Sequence, residues 1–321
     1  MKKFGLLIGL LLFVFAKPVL ASGVNFGVYP PITQIKASVP SVVESKITIS
    51  NQSQTPQDLK IILRSFKASN ENNGQVELLP SDSPPGGDSA LFEKIEFLDN
   101  DNPVKKVHLE ALESKSLNMK IVLDKSSVAG DYYFSVIFMA EGEAPDGTGS
   151  KLLSGIATNV LLAVGENIAP KVEIAGFTTP FFREKGPVAL TLLISNKGKR
   201  FTRASGEVVI TNMFGQNVGK LTLLPQNILA NSNRYMKDKE QAKIKELSKA
   251  LLDLKVKNEV IFWPETFLLG LYTAKATINL TDADTIRTSV TFIAIPVIWV
   301  SVFSIIILIA LGITLKVMKK I

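Results

Sequence analysis

Long stretches of this chain alternate apolar and polar residues, a pattern that predicts β-strands with one face in a core and the other in water. In "KSLNMKIVL" the apolar face holds Leu117, Met119, Ile121 and Leu123. In "YTAKATINL" it holds Tyr272, Ala274, Ala276, Ile278 and Leu280. The segments "DYYFSVIFM" and "GIATNVLLAVG" are more continuously apolar, as expected for central strands. Many short strands without helices between them predict a sandwich or a barrel.

Two features of the strand pattern occur twice in the same order. "KITISNQSQTPQDLKI" (46–61) is echoed by "LTLLISNKGKRFTRASGEVVI" (190–210), with a strand, Ser-Asn, a polar turn and a second strand in each. "AGDYYFSVIF" (129–138) is echoed by "LGLYTAKATI" (269–278), so that Gly-x-Tyr opens a strand in both.

A Gly-x-Tyr at a strand entry is typical of the tyrosine corner of immunoglobulin-like sandwiches, where the hydroxyl bonds back to the chain a few residues upstream. The alternative is a tyrosine that simply packs at the start of a strand. With the repeated turn, the pattern predicts an all-β protein with two tandem immunoglobulin-like β-sandwich domains.

The predicted domains are 22–167 and 168–290, with the boundary near "GENIAPK" (165–171), where Gly and Pro bracket a short polar stretch. Residues 70–90 predict a polar loop. Residues 236–257 predict a helix inserted in the second domain, because Ile244, Leu247, Leu251 and Leu254 form one apolar stripe. Two interpretations are open: a helix that caps the end of the sandwich, or one that docks a partner or anionic headgroups.

The chain ends predict the compartment. Residues 1–21 have the lysines, apolar stretch and small-residue site of a signal peptide cleaved after Ala21, with an uncleaved anchor as the alternative. Residues 291–315 predict a transmembrane helix, and its apolar stretch 296–315 is far longer and more uniformly apolar than a typical buried core helix. Because positive residues stay inside, the basic tail 316–321 is predicted to be cytoplasmic and the ectodomain extracytoplasmic. The protein is thus predicted to be a single-pass cell-membrane protein.

Charge and cysteine content narrow the function classes. The formal net charge is +7, but six lysines lie in the signal peptide and the basic tail, so that residues 22–315 carry only +1. Nucleic acid is therefore excluded as the predicted partner, because the excess of positive charge lies in the segments that set the orientation of the chain in the membrane. The sequence has no cysteine, which excludes a disulfide framework, a thiol nucleophile and thiolate metal ligands. A bacterial source is predicted.

The sequence predicts no catalytic residue, no metal site and no cofactor. The single histidine, His108, lies in an alternating strand beside lysines and is predicted to be structural or exposed. "DNDNP" (99–103) resembles a calcium loop but lacks its glycine and later glutamate, so a polar turn is favoured. No phosphate-binding loop or nucleophile elbow is present. Ligand-binding residues are not identified, and a pair of carboxylates that meet in space remains open.

The segments "VYPPITQIKASVPSVVESKITISNQSQTPQDLKI" and "VALTLLISNKGKRFTRASGEVVITNMFGQNVGKL", with the signal peptide, terminal helix and lysine tail, resemble the WxL-interacting proteins of Gram-positive cell surfaces. The resemblance implies a first sandwich that contacts peptidoglycan and a second that contacts another protein or a host ligand. The lysine-rich insertion departs from that family. The first domain also resembles the leading domain of periplasmic pilus chaperones, but those proteins are soluble.

These observations predict a membrane-anchored, non-enzymatic binding or scaffold protein that docks cell wall, or other surface or secreted proteins, through sandwich loops and edges. The alternative is an anchored chaperone for the assembly of secreted or surface subunits, which requires an exposed apolar edge strand. A surface hydrolase would instead require a cleft lined by two acids roughly 5 to 10 Å apart.

Overall fold

The computed structural model describes residues 25–88, 90–140, 154–166, 168–239 and 260–318. These residues form two consecutive β-sandwiches followed by one helix, which confirms the predicted all-β fold class with tandem immunoglobulin-like sandwiches.

The first sandwich packs a 5-stranded sheet against a 6-stranded sheet. The first sheet has the order β1-β3-β9-β6-β7, with β1 Phe26–Tyr29, β3 Ser41–Asn51, β9 Ser114–Leu123, β6 Ile95–Asp99 and β7 Asn102–Pro103. The second has the order β2-β11-β10-β4-β5, with β2 Ile32–Ala37, β11 Gly155–Val164, β10 Gly130–Ala140, β4 Gln57–Ala68 and β5 Val76–Leu78. In this second sheet β8, Lys106–Leu109, also pairs with β4.

The first strand segment changes sheets halfway along the sandwich. β1 pairs antiparallel with the end of β3, from Phe26↔Asn51 to Tyr29↔Thr48. The chain then turns at Pro30 and Pro31, where no backbone N–H is available to continue a ladder. β2 pairs parallel with β11, from Ile32↔Asn159 to Ala37↔Val164. Each sheet therefore has a covering strand along only part of this edge.

The second sandwich packs a 4-stranded sheet against a 5-stranded sheet. The first contains β12 Val172–Thr178, β14 Val188–Asn196, β17 Ser232–Tyr235 and β18 Ile261–Trp263. The second has the order β13-β20-β19-β15-β16, with β13 Phe182–Arg183, β20 Ala283–Ala294, β19 Gly270–Leu280, β15 Thr202–Asn212 and β16 Asn217–Ile228.

The apolar faces predicted from alternation form the two cores. In β9 the predicted residues Leu117, Met119 and Ile121 have no exposed surface. In β19 the four predicted residues from Tyr272 to Ile278 are buried and Leu280 packs against them. β10 lies between β11 and β4, as its continuous apolar run predicts.

The repeated Ser-Asn turn has the same hydrogen bonds in both sandwiches. The Asn51 side-chain amide donates to the carbonyls of Thr55 and Glu110, both at 2.8 Å, and its oxygen accepts the Ser53 N–H at 3.0 Å. The Asn196 amide donates to Arg200 O at 2.8 Å and Ile228 O at 3.2 Å. Its oxygen accepts the Gly198 N–H at 2.9 Å. The sequence echo therefore marks one structural device used twice.

Both predicted tyrosine corners are present. The Tyr132 hydroxyl donates to Val128 O at 2.5 Å, four residues upstream. The Tyr272 hydroxyl donates to Leu269 O at 3.3 Å and accepts the Leu269 N–H at 3.1 Å. The hydroxyls bond back to the chain as predicted.

Several predicted boundaries change. β20 continues to Ala294, beyond the predicted domain end at 290, and the helix, α1, spans Val297–Met318 rather than beginning at 291. Within 70–90 the structure adds β5 and a 3-10 turn at Pro85–Gly87 to the predicted loop. Residues 236–239 are not helical, because Leu224 N–H bonds to Lys237 O and Lys239 N–H to Thr222 O along β16.

Other predictions lie outside the described residues: the signal peptide 1–21, the inserted helix from residue 240 onward, and residues 319–321 of the basic tail. α1 has 22 residues and is long and apolar enough to cross a membrane by length and composition.

Candidate functional site

Most sheet edges in the described part of the chain are protected against pairing with another chain. β7 and β13 are 2 residues long, and β7 includes a proline. β12 carries a bulge between Ile174 and Gly176. β16 contains Pro225, and residues 237–239 cover part of its outer side. Short strands, prolines, bulges and coverings are the usual means of blocking edge-to-edge association.

The sheet change between β1 and β2 leaves two partial edges. In β3, residues 41–47 have no partner among the described residues on the side where β1 pairs with 48–51. This stretch carries Glu44 and Lys46, and edge charges discourage strand addition. The segment "KITIS" (46–50) is itself flanked by β9 and, from Thr48 onward, by β1. It is therefore a poor docking edge.

The second partial edge is Gly155–Thr158 of β11, which we call the open edge. β10 pairs with these residues on one side, whereas β2 begins its pairing with β11 only at Asn159. The open edge carries no charge and no proline. It therefore lacks the charges and prolines that protect many of the other edges, a property it shares with β1, which pairs only with β3 among the described residues and lies close to β11.

The backbone of the open edge directs hydrogen-bonding groups outward. The N–H of Asn159 donates to Pro31 O at 3.1 Å, on the β2 side of β11. Because alternate residues of a strand present their backbone groups to the same side, the N–H and C=O of Ala157 also face outward. Thr158 closes the segment, since its hydroxyl donates to Pro30 O at 2.6 Å.

The open edge leads to a groove between the two sandwiches. At its inner face Ile156 packs against the first core, while Ala157 is exposed on the outer face of the sheet. The groove begins beside Asn159 and Ile32, and Leu229 from the second sandwich lines it as well. A strand added along β11 would have to leave the sheet where β2 begins, next to Ile32 and this groove.

A buried ion pair fixes the joint between the sandwiches. The Arg200 guanidinium, in the Ser-Asn turn of the second sandwich, donates to Asp131 of β10 at 3.0 Å, and the two side chains are 8% and 3% exposed. It also donates to Val164 O at 2.7 Å and to Glu166 O at 2.8 Å. Arg200 thereby binds β10, the end of β11 and the chain that links the sandwiches.

Asp131 gathers further donors. It accepts the Phe201 N–H at 2.5 Å and the Tyr133 hydroxyl at 2.7 Å. That hydroxyl accepts the Ala230 N–H at 3.1 Å, so that it bridges the sandwiches. Burial raises the pKa of Tyr133 far above its usual value, with a further contribution from the Asp131 charge. The phenol is therefore a permanent donor to Asp131 at physiological pH.

Apolar packing completes the joint. Phe66 and Leu161 of the first sandwich form a buried cluster with Phe201 and Leu229 of the second. Tyr133 stacks on Phe66 with ring centroids 6.0 Å apart and meets Phe201 edge-on at 6.4 Å. The open edge is consequently held at a fixed orientation relative to the second sandwich.

The residues that the sequence singled out for chemistry are not brought together. His108 is exposed on β8, with Nδ1 2.8 Å from Asp58 and Nε2 3.4 Å from Glu110. Residues 99–103 form a hairpin, in which 100 and 101 make the turn between β6 and β7, and Asp99 pairs with Lys115 at 3.3 Å. Within the described ranges no group of His, Asp and Glu is placed to hold a metal ion.

A groove of the first sandwich includes the two acids Glu93 and Glu96. Both residues are exposed. Sequence reasoning missed the Arg200–Asp131 pair because the two residues are 69 positions apart, and neither the Gly-x-Tyr motif around Asp131 nor the Ser-Asn turn around Arg200 indicates that they meet.

No family model matches the chain, and no curated protein matches it. Solved structures with a similar fold include a class 5 fimbriae chaperone, CfaA, with 15% identity over 83% of this chain and 98% of that chain, and a TM-score of 0.38. A Salmonella enterica SafA pilin–SafB chaperone structure has 10% identity over 84% and 97%, with a TM-score of 0.35. The E. coli chaperone DraB has 9% identity over 83% and 98%, also with 0.35.

Similarity at this level carries no information about function. It does not bear on the resemblance to WxL-interacting proteins, which stays a prediction.

Proposed function

We propose that this protein is a membrane-anchored, extracytoplasmic chaperone-like binding protein that holds an extended segment of a secreted or surface protein along the open edge of β11. The observation that carries the proposal is the uncharged, proline-free segment Gly155–Thr158 of β11, which has a strand partner on only one side among the described residues. A soluble sandwich that retains such an edge incurs a risk of aggregation, which is balanced if the edge serves to bind a partner.

Strand addition is the binding mode that fits this geometry. The outward backbone groups of Ala157 would pair with the partner's main chain, which gives affinity with little dependence on sequence. Side chains of the partner would then select the site through contact with Ile156 on one face and with the groove beside Ile32 on the other. A main-chain site of this kind suits a protein that receives several related subunits.

The membrane anchor α1 determines on which side of the membrane the partner segment is bound. With α1 across the membrane and its lysine-flanked end inside, both sandwiches lie on the extracytoplasmic side. The buried Arg200–Asp131 joint then holds the open edge in one orientation above the membrane. Partners would be met after secretion and before assembly at the surface.

The test uses photo-crosslinking in living cells of the source organism, with full-length protein. A benzophenone amino acid is placed at Ala157 or, as the matched control, at Glu44 on the charged partial edge of β3. We expect adducts with extracytoplasmic proteins from position 157 and none above background from position 44. Equal adducts from both positions would contradict strand addition at β11.

A second set of variants separates the edge from its surroundings. Ala157→Pro removes the outward N–H and should abolish capture of the crosslinked partners in pull-downs. Glu44→Pro removes an outward N–H from the β3 edge and should leave capture unchanged. Retention on isolated cell wall by both variants, without loss of any protein partner, would instead favour a wall-docking scaffold.

A further inference from the structure

Several large apolar side chains are exposed at the end of the second sandwich from which α1 leaves. Phe181, Phe214 and Phe267 are 66%, 78% and 59% exposed, although aromatic residues normally bury most of their surface. Three other large apolar residues of the same loops are also exposed: Phe182, Met213 and Leu269. We call this set the apolar collar.

Strand register places the whole collar around one point of the chain, Ala294. β13 pairs with β20 at Arg183↔Ala294, which brings the loop of Phe181 and Phe182 to this point. β19 pairs at Gly270↔Ala294, which brings the loop of Phe267 and Leu269. β15 ends opposite the start of β19, at Asn212↔Tyr272, so that Met213 and Phe214 follow at the same end.

The collar lies at the level of the first helical turn. Only Ile295 and Pro296 separate β20 from α1, and two residues span at most about 7 Å. A groove between the sandwich and the helix is lined by Thr266 and Phe267 on one side and by Pro296 to Trp299 on the other. The loop tips therefore stand beside the residues that enter the membrane.

The length of α1 leaves no spacer between the apolar collar and the membrane. Its 22 residues extend about 33 Å at 1.5 Å per residue, close to the roughly 30 Å hydrocarbon core. Trp299 near its beginning is of the type that prefers the membrane–water interface. A span that begins at Val297 brings the collar to the headgroup level.

We propose that the apolar collar inserts into the outer interface of the lipid bilayer and docks the second sandwich on the membrane. The occupant is lipid, because the collar is continuous with the proposed span and surrounds its entry point. The neighbouring charges are mixed, with Arg183 and Lys185 beside Glu184 and Glu265. Apolar burial, rather than attraction to anionic headgroups, is thus the driving force.

The proposal is tested by depth-dependent fluorescence quenching in vesicles. The chain has no cysteine, so single variants of the full-length protein can be labelled cleanly. Labels are attached to Phe214→Cys and Phe267→Cys in phosphatidylcholine vesicles that contain lipids with a nitroxide near the headgroup. We expect loss of fluorescence at both sites, and the same loss in vesicles with added phosphatidylglycerol at high and low salt.

Two further sites make the result decisive. Leu112→Cys lies on an exposed apolar residue in the turn between β8 and β9, at the far end of the first sandwich, and should keep its fluorescence. Ile306→Cys lies midway along α1 and should be quenched by nitroxides deep in the acyl chains. Quenching at 306 without quenching at 214 and 267 would overturn docking, because the collar would stand in water.

Other outcomes overturn the proposal as clearly. A blue-shifted label at 214 that lipid nitroxides do not quench would mean that a protein, either a partner or a second copy, covers the collar. Absence of quenching at 306 would show that α1 does not span. None of these results depends on the open edge, so failure here is distinguishable from failure of the proposed function.

Discussion

The Ser-Asn turns of the two sandwiches share the same pattern of asparagine hydrogen bonds but have different surroundings. In both, a buried asparagine holds the residue four positions on through its carbonyl, Thr55 in the first sandwich and Arg200 in the second. Thr55 is exposed at a free tip, whereas Arg200 reaches into the other sandwich. The turn supplies a rigid platform, and the side chain placed on it decides whether that end is a tip or a joint.

The largest expected change in stability comes from removing Arg200, the side chain that distinguishes the second turn from the first. Arg200→Ala leaves Asp131 buried with its charge uncompensated, which costs about 3–5 kcal/mol in the free energy of unfolding. Urea denaturation of the full-length protein in detergent would measure it. Thr55→Ala, the equivalent change at the free tip, should stay within about 0.5 kcal/mol. A similar loss for both variants would refute the distinction between joint and tip.

The second effect tests what the turns have in common. Asn51→Ala and Asn196→Ala each remove a buried side chain that donates two hydrogen bonds to backbone carbonyls. Each should lower the free energy of unfolding by about 1–3 kcal/mol, because those carbonyls lose their donor. Asn196→Ala should cost more, since it also loosens the platform under Arg200. A neutral Asn51→Ala would show that the shared geometry is not a shared source of stability.

A smaller effect is expected at the tyrosine corners. Tyr132→Phe and Tyr272→Phe remove a hydroxyl while keeping the ring, and each should cost about 0.5–1.5 kcal/mol in the same denaturation measurement. Tyr29→Phe, at a tyrosine that is 72% exposed, is the control and should be neutral.

The smallest effect belongs to His108, in the first sandwich only. Hydrogen bonds to Asp58 and then Glu110 raise the pKa of the imidazole above its usual 6.5. The folded state therefore binds this proton more tightly than the unfolded state. The resulting stability is fully present below about pH 6.5, the unfolded-state value, and is lost as the pH rises through the raised pKa.

The chain has 1 histidine, so an NMR titration of the ring reports this pKa without assignment. Asp58→Asn should move the pKa back toward 6.5. An unchanged pKa in that variant would show that Asp58 is not the cause.

Local patterns in the sequence predicted the faces of the strands well. Alternation gives the side of a strand that is buried, and the Gly-x-Tyr spacing gives a corner, because both are properties of neighbouring residues. The same reasoning could not predict the open edge. That edge exists because β1 and β2 divide one strand between two sheets, and only the prolines at 30 and 31 hint at the break.

The joint was equally hidden from sequence reasoning. Asp131 and Arg200 read as ordinary polar residues in a strand and a turn, and only the tertiary fold removes both from water. Alternation also did not predict the full length of β20, which remains a strand through Ala294 up to the proline that precedes α1. The end of a strand is set by its pairing with neighbouring strands, which can continue beyond the residues whose apolar and polar positions alternate.

The joint has a consequence for domain exchange. Tandem sandwiches suggest interchangeable units, but the first sandwich taken alone would uncover Phe66 and Leu161 and leave Asp131 without its guanidinium partner. A foreign second sandwich would have to carry an arginine four residues after its turn asparagine, at the same reach. The two sandwiches therefore have to be exchanged together. A chimaera that is joined at residues 165–171 but lacks the contacts of the joint should expose apolar surface and aggregate.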